Sequence, residues 1–293
     1  MKMSSFNFAP LTFALEWEVW VAKGGLQLLT DSEYETLAAA VRREIPTYRI
    51  GTDDYQLELR TGPQQSLRGM YQAADTMYET ARRVAEQKNW RLFGGAGHPV
   101  YFGVSGVHVH LGTLRSAEEA MALKYALLPE IPTLIALYAC MPYCYGSLRP
   151  QQSYRVANMA FGMCTPALVA SADHWFCEWG YDVTARTAEK PTVEVRCLDG
   201  ALTPRIAAEA AGILAVLANA ARPGEAPTAA QFEEYLENRY NAARYGLAAT
   251  FAVDGKKKSA QEAARELVVR SQKGARRLGG TSGSFAWSQR MAE

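Results

Sequence analysis

Apolar and polar residues alternate with a period of two along four stretches of this chain. In TFALEWEVWVA (12–22), Phe13, Leu15, Trp17 and Val19 run on one side while Glu16 and Glu18 share the other. In DDYQLELRT (53–61), Leu57 and Leu59 alternate with Asp54, Gln56, Glu58 and Arg60. In GVHVHLG (106–112), Val107, Val109 and Leu111 alternate with His108 and His110. In KPTVEVRCLDG (190–200), Val193, Val195 and Cys197 alternate with Glu194 and Arg196. Successive strand side chains point to opposite faces, so each stretch reads as a strand with one apolar and one charged face.

Between these strands the pattern turns helical. Asp31 to Glu44 predicts a helix capped by Asp31 or Ser32 and stopped by Pro46. A long helical stretch follows Pro63 and runs to about Lys88. Ser116 with Glu119, and Ser259 with Glu262, form S-x-x-E capping boxes. Thr203 precedes Pro204 at the start of an alanine-rich helix reaching about Ala221, and Thr228 opens another that ends near Gly246. LFGGAGHPVYFG must turn, and residues 140–165 read as loops with short helices. The lysines Lys256, Lys257 and Lys258 read as a solvated loop. Strands early and helices late predict an α+β fold in one domain, residues 1–293, with a flexible tail from about 279 to 293.

Composition narrows the class. The chain has 293 residues, 48% hydrophobic and 21% charged, and a formal net charge of +1, so no overall field draws it to nucleic acid or an anionic membrane. Glu16 and Glu18 interrupt the apolar start, which therefore does not read as a signal peptide. LLPEIPTLIALYACMPY comes nearest to a membrane span but carries Glu130 and three prolines. Five cysteines, an odd count without CxxC, read as free thiols. The expectation is a cytoplasmic protein without membrane or nucleic-acid partners.

The charged faces change the picture most. A solvated antiparallel sheet also alternates with period two. Here, however, the polar residues are Glu, His and Arg, and Glu16 and Glu18 lie among Trp, Phe and Leu, where like charges repel unless cations intervene. Carboxylates bind Mg²⁺, which commonly also contacts phosphates, and arginines clamp phosphate oxygens. Together they point to ATP held by Mg²⁺ or Mn²⁺. No GxxxxGK[ST] motif is present, so the chain is not a P-loop enzyme.

In order along the chain, LEWEVW, YQLELRTGP, GAGHP, GVHVHLG, LLPEIPTLIALYACMPYCYG, SYR, PTVEVRCLD and NRYNAARYGLAA resemble the motifs of the carboxylate–amine ligases of glutamate–cysteine ligase family 2. The resemblance runs from about residue 12 to 279. It implies a glutamine-synthetase-like catalytic domain: a curved, largely antiparallel sheet with helices on its outer face. It implies phosphorylation of a carboxylate by ATP, usually the γ-carboxylate of glutamate, then attack by an amine such as that of an amino acid, releasing ADP and phosphate. Carried over by residue, Glu16, His110 and Glu194 would hold one metal ion, and Glu18 and Glu58 a second. Arg196 would contact phosphate or the developing acyl phosphate, and Glu194 lies beside the same nucleotide tail. Arg155 would lie near the nucleotide or the substrate carboxylate, and Arg186 occupies the place of a family arginine. His108 and His98 read as structural, Asp199 as a turn cap, and His174 as part of a packed loop. Arg244 and Tyr245 stay open between packing and phosphate contact.

Two features depart from the family. Its second acidic strand has an earlier carboxylate, whereas GTDDYQLE offers Asp53 and Asp54 closer in, and Asp54 is expected to share the face of Glu58. The chain is also shorter than typical members. Two other readings stay open: phosphoryl transfer to a guanidino compound, and a non-catalytic protein of the same fold binding a small anion or peptide. A modified nucleotide as substrate, and a homodimer, also stay open.

Overall fold

The computed structural model describes residues 10–98, 100–101, 103–139, 143–144, 147–148, 152–158, 182–186, 190–281 and 283–293. Expectations for His174, the HWFCEW segment and the cysteines Cys140, Cys164 and Cys177 lie outside them, as do the side chains of Cys144 and Tyr154.

The strands are β1 (Thr12–Ala22), β2 (Arg49–Asp53), β3 (Gln56–Arg60), β4 (Arg91–Phe93), β5 (Gly106–Gly112), β6 (Tyr143–Cys144), β7 (Ser147–Leu148), β8 (Val183–Arg186), β9 (Thr192–Asp199), β10 (Thr250–Val253) and β11 (Lys256–Ser259). The helices are α1 (Asp31–Glu44), α2 (Leu67–Glu86), α3 (Ala117–Leu127), α4 (Ile131–Tyr138), α5 (Tyr154–Asn158), α6 (Pro204–Ala220), α7 (Ala229–Tyr245), α8 (Ala260–Ala275) and α9 (Ala286–Ala292). The main sheet runs β2-β3-β1-β5-β9-β8, with β4 pairing β1 at its far end. Every pairing in it is antiparallel. The fold is therefore α+β, an antiparallel sheet backed by helices.

Register follows from the alternation. Leu15, Trp17, Leu57, Leu59, Val107, Val109, Leu111, Val193 and Val195 are all buried and form one apolar face. Helices α2 and α6 lie on that side, where Trp17 stacks on Tyr78 of α2 at 5.0 Å between ring centroids. Residues opposite one another in an antiparallel pair share a face. The pairs Glu16 with His108, Glu18 with Glu58, Glu58 with Gly51 and His110 with Glu194 therefore gather the charged groups on the other face.

The stretch read as one strand from 53 to 61 is two. Asp54 (φ 32°) and Tyr55 (φ 65°) are left-handed and turn β2 into β3. Asp54 thus sits in the turn, not on the Glu58 face; Asp53, opposite Gln56, takes that place. The lysine run likewise forms strand β11, paired with β10 across a tight Asp254–Gly255 turn with both residues at positive φ. Thr30 caps α1 in place of Asp31 or Ser32, and its hydroxyl and the Glu33 side chain satisfy each other's backbone N–H. The stretch Ala117–Tyr138 is long and apolar enough to cross a bilayer by composition, but most of it is buried against the rest of the protein.

The C-terminal segment, read as a flexible tail, carries α9. Phe285 is buried, and the fully buried Glu209 of α6 accepts from the backbone N–H groups of Trp287 (3.2 Å) and Ser288 (2.9 Å) and from the Ser288 hydroxyl (3.0 Å). A carboxylate at a helix N-terminus satisfies orphan donors and meets the positive end of the helix dipole. Glu209→Ala would leave these donors without their acceptor. It is expected to lower stability by roughly 2–4 kcal/mol, since each unsatisfied buried group costs about 1–3 kcal/mol and fraying of α9 recovers part. The chemical-denaturation midpoint checks this, with Glu209→Gln as the milder control.

Candidate active site

Strand β1 supplies Glu16 and Glu18, β3 supplies Glu58 and Arg60, β5 supplies His108 and His110, and β9 supplies Glu194 and Arg196. Arg155 reaches the face from α5 and Arg186 from β8. The three groups expected around one ion come together: His110 Nε2 lies 3.3 Å from Glu16 Oε2 and 3.8 Å from Glu194 Oε1. Glu18 and Glu58 sit directly opposite each other on β1 and β3. Glu18 accepts the Gly106 N–H at 2.5 Å and lies 3.6 Å from Arg155 Nη1.

The arginines bracket the carboxylates. Arg186 Nε donates to Glu194 Oε2 at 2.9 Å, and Arg196 Nη1 donates to Glu194 Oε1 at 2.7 Å. Arg60 pairs with Glu58 and approaches Glu16 Oε2 at 3.4 Å. Arg155, itself buried, donates to Arg196 O at 3.3 Å and contacts His108 Nε2 at 2.9 Å. Arginine can only donate, so it assigns the His108 proton to Nδ1. That buried nitrogen has no hydrogen-bond partner among the described residues; it faces Glu16 Oε1 at 3.5 Å and Glu194 Oε1 at 3.7 Å. His108 is thus a hub inside the site rather than a remote packing residue.

The electrostatics are those of crowded acids. Burial opposes charge on Glu16, yet the imidazoles of His108 and His110 beside it hold its carboxyl well below the usual range. Burial and the neighbouring Glu16 push Glu58 up to about 9. Burial also opposes charge on Glu194, but His110, Arg196, His108 and Arg186 together draw its carboxyl down. Burial and the charge of Glu18 raise Asp53. A buried carboxylate pair that ionises one member and keeps the other protonated is the arrangement a hard divalent cation relieves. Among the described residues no three of these side chains already close around one point as a coordination shell. The oxygen-rich donor set is of the kind hard divalent cations such as Mg²⁺ or Mn²⁺ take, with Glu16, His110 and Glu194 gathered as one group and Glu18, Glu58 and Asp53 as another.

The glycine turn and His98 keep the turn roles read for them, while Asp199 and Arg244 take specific partners. The glycine turn packs: Gly95 O accepts from Trp20 Nε1 (3.0 Å) and Ser105 Oγ (2.5 Å). His98 is a buried turn residue whose Nδ1 accepts the N–H groups of Val100 and Tyr101 at 3.1 and 3.2 Å, and burial lowers its pKa to about 4. Asp199 accepts the Ser153 hydroxyl at 2.6 Å, tying the end of β9 to the start of α5. Arg244 lies on the exposed side of α7 and donates to Tyr240. Sequence reasoning gave no role to Arg60, although it shares the face of Glu58 two residues on. It also missed Gly106, for which period-two alternation holds no signal.

A sheet whose charged face gathers four glutamates, two histidines and four arginines, backed by helices, shares its fold with solved glutamate–cysteine ligases. Among curated proteins, the chain is similar to several that carry the name glutamate–cysteine ligase 2 provisionally. One from Enterobacter sp. (strain 638), which carries that name provisionally, is 29% identical over 96% of this chain and 88% of its own length. Another from Dechloromonas aromatica, named likewise, is 27% identical over 78% of this chain and 69% of its own. No protein-family model matches. In fold, the chain matches a Francisella tularensis glutamate–cysteine ligase solved with AMP, at 10% identity and TM-score 0.62, covering 99% of this chain and 82% of that one. It also matches PafA, the ligase of the prokaryotic ubiquitin-like protein Pup, at 14% identity and TM-score 0.55, spanning 97% of this chain and 62% of that one.

Proposed function

We propose that the protein is an ATP-dependent carboxylate–amine ligase that forms an amide through an acyl phosphate, with glutamate as carboxylate and an amino acid or similar amine as acceptor. The observation that carries this reading is the convergence of Glu16, His110, Glu194, Arg155 and Arg196 on one face of the sheet. The relatives named as glutamate–cysteine ligases support it.

A carboxylate is a poor acylating agent, and its oxygen must first take the γ-phosphoryl group of ATP. The amine nitrogen then attacks the acyl carbon and loses a proton, and phosphate leaves. Charge accumulates on phosphoryl oxygens in the first step and on the acyl oxygen in the second, so fixed cations aimed at these atoms accelerate both. Arg196 and Arg155 are linked to each other and supply fixed positive charge at the floor of the site; Arg186 adds a third, more exposed guanidinium. A divalent cation held by Glu16, His110 and Glu194, and a second by Glu18, Glu58 and Asp53, would supply charge neutralisation to the triphosphate.

The direct test is phosphate release from ATP and Mg²⁺ with glutamate and a panel of amines, with mass spectrometry of the product. Absence of phosphate with every carboxylate–amine pair would overturn the reading. Binding is checked separately: Mg·ATP at about 100 times its dissociation constant is expected to stabilise the protein by about 2.7 kcal/mol, read as a rise in melting temperature. Glu16→Gln with Glu194→Gln is expected to remove most of that rise.

A further inference from the structure

We propose that the buried Asp182–Arg239 pair is the positioning element that fixes the spacing between the two linked arginines of the active site, Arg155 and Arg196; this rests on the ligase reading above. Asp182 lies just before β8, and Arg239 lies in the middle of α7, 57 residues away. Both are buried. Arg239 grips the carboxylate with two parallel bonds, Nε to Oδ2 at 2.6 Å and Nη2 to Oδ1 at 3.1 Å, and the Tyr235 hydroxyl donates to the same Oδ2. The remaining guanidinium nitrogen, Nη1, donates to Val156 O at 3.4 Å.

One end of this cluster reaches the backbone of Arg196 and the other the neighbour of Arg155. On one side, Asp182 O accepts the Arg196 N–H at 2.9 Å, across the β-bulge where Arg196 and Cys197 stand opposite His108. A bulge weakens the local ladder, so this bond helps set the backbone direction of Arg196. On the other side, Val156 directly follows Arg155. The start of α5 is also anchored to α7, since the Gln152 and Ser153 N–H groups donate to Ala243 O at 3.0 and 2.9 Å. Arg155 and Arg196 are themselves joined by a side-chain-to-backbone contact of 3.3 Å. The spacing of the two guanidinium groups is therefore set from behind, by one planar fork that has no equivalent in lysine. No atom of Asp182 or Arg239 is placed on substrate; they act through the arginines, so the effect belongs to the transition state rather than to ground-state binding.

The test uses Arg239→Lys and Tyr235→Phe, each keeping size and burial, with the fraction folded measured by circular dichroism and rates expressed per folded molecule. Arg239→Lys is expected to lower kcat at least about tenfold with KM for ATP and glutamate within about twofold. Tyr235→Phe is expected to follow in the same direction with a smaller effect. In both, the Arg196 backbone amide is expected to exchange hydrogen faster than in the wild type, while amides in β1 stay unchanged. A kcat per folded Arg239→Lys molecule within twofold of wild type would overturn the proposal. Should the wild type itself release no phosphate with any substrate pair, the ligase reading fails on its own. Exchange at Arg196 then decides the positioning claim: unchanged protection in folded Arg239→Lys overturns it, and selective loss supports it.

Discussion

Glu194→Gln is expected to lower ATP-dependent phosphate release by about 10²–10³-fold, the range found when one preorganised electrostatic partner is removed from a reacting centre. Glu194 is almost completely buried, and both of its oxygens are in use: Arg196 binds Oε1 and Arg186 binds Oε2, while His108 and His110 approach Oε1. Glutamine keeps the shape but removes the charge and presents an amide N–H₂ to one of two guanidinium groups. One arginine then loses this acceptor, and the donor set around Glu16 and His110 loses its second carboxylate. Initial rates at saturating ATP and glutamate check the prediction. The comparison that isolates chemistry from folding is Glu130→Gln, which breaks only the solvent-facing pair with Arg270 and is expected to leave the rate within about twofold.

The second large effect is expected at a residue with no side chain. A methyl group at position 106 would stand 2.7 Å from Arg155 Cζ and 2.8 Å from its Nη1, closer than real side chains come. Gly106→Ala therefore forces the Arg155 guanidinium away from His108 and Arg196. The backbone N–H of residue 106 also donates to Glu18, so the shift reaches a second carboxylate. The expected outcome is a loss in kcat of about a hundredfold, from the same class of electrostatic contribution, with a stability cost of about 1–3 kcal/mol from overpacking. Arg155→Ala alone and combined with Gly106→Ala provides the check. If the glycine acts by making room for Arg155, the double variant is no slower than Arg155→Ala, because coupled sites do not add.

Much of this was legible in the alternation of apolar and charged residues. Leu15, Trp17, Val107, Val109, Val193 and Val195 do face the helices, and Glu16, Glu18, His110, Glu194 and Arg196 do share the other side. The serines of the S-x-x-E patterns located α3 and α8, capping Glu119 N–H and Glu262 N–H without the reciprocal glutamate bond, because the signal is local and chemical. The β2–β3 hairpin escaped because its left-handed turn is made by Asp54 and Tyr55, without the glycine that usually marks one. The β10–β11 hairpin did carry that mark, in Asp254–Gly255, but the lysine run beside it read as solvent-facing loop. The C-terminal helix α9 escaped because what holds it is a carboxylate about 80 residues upstream, beyond the reach of local pattern. The same distance hid Arg239 and Asp182, whose pairing depends on tertiary structure alone.

The two-faced sheet has a bearing on how the chain folds as well as on what it does. A slip of β1 by one residue against β3 or β5 would turn Glu16 and Glu18 toward α2 and α6 and expose Trp17 to water. The charged groups of this face thus penalise mispaired intermediates and double as a proof-reading device during assembly.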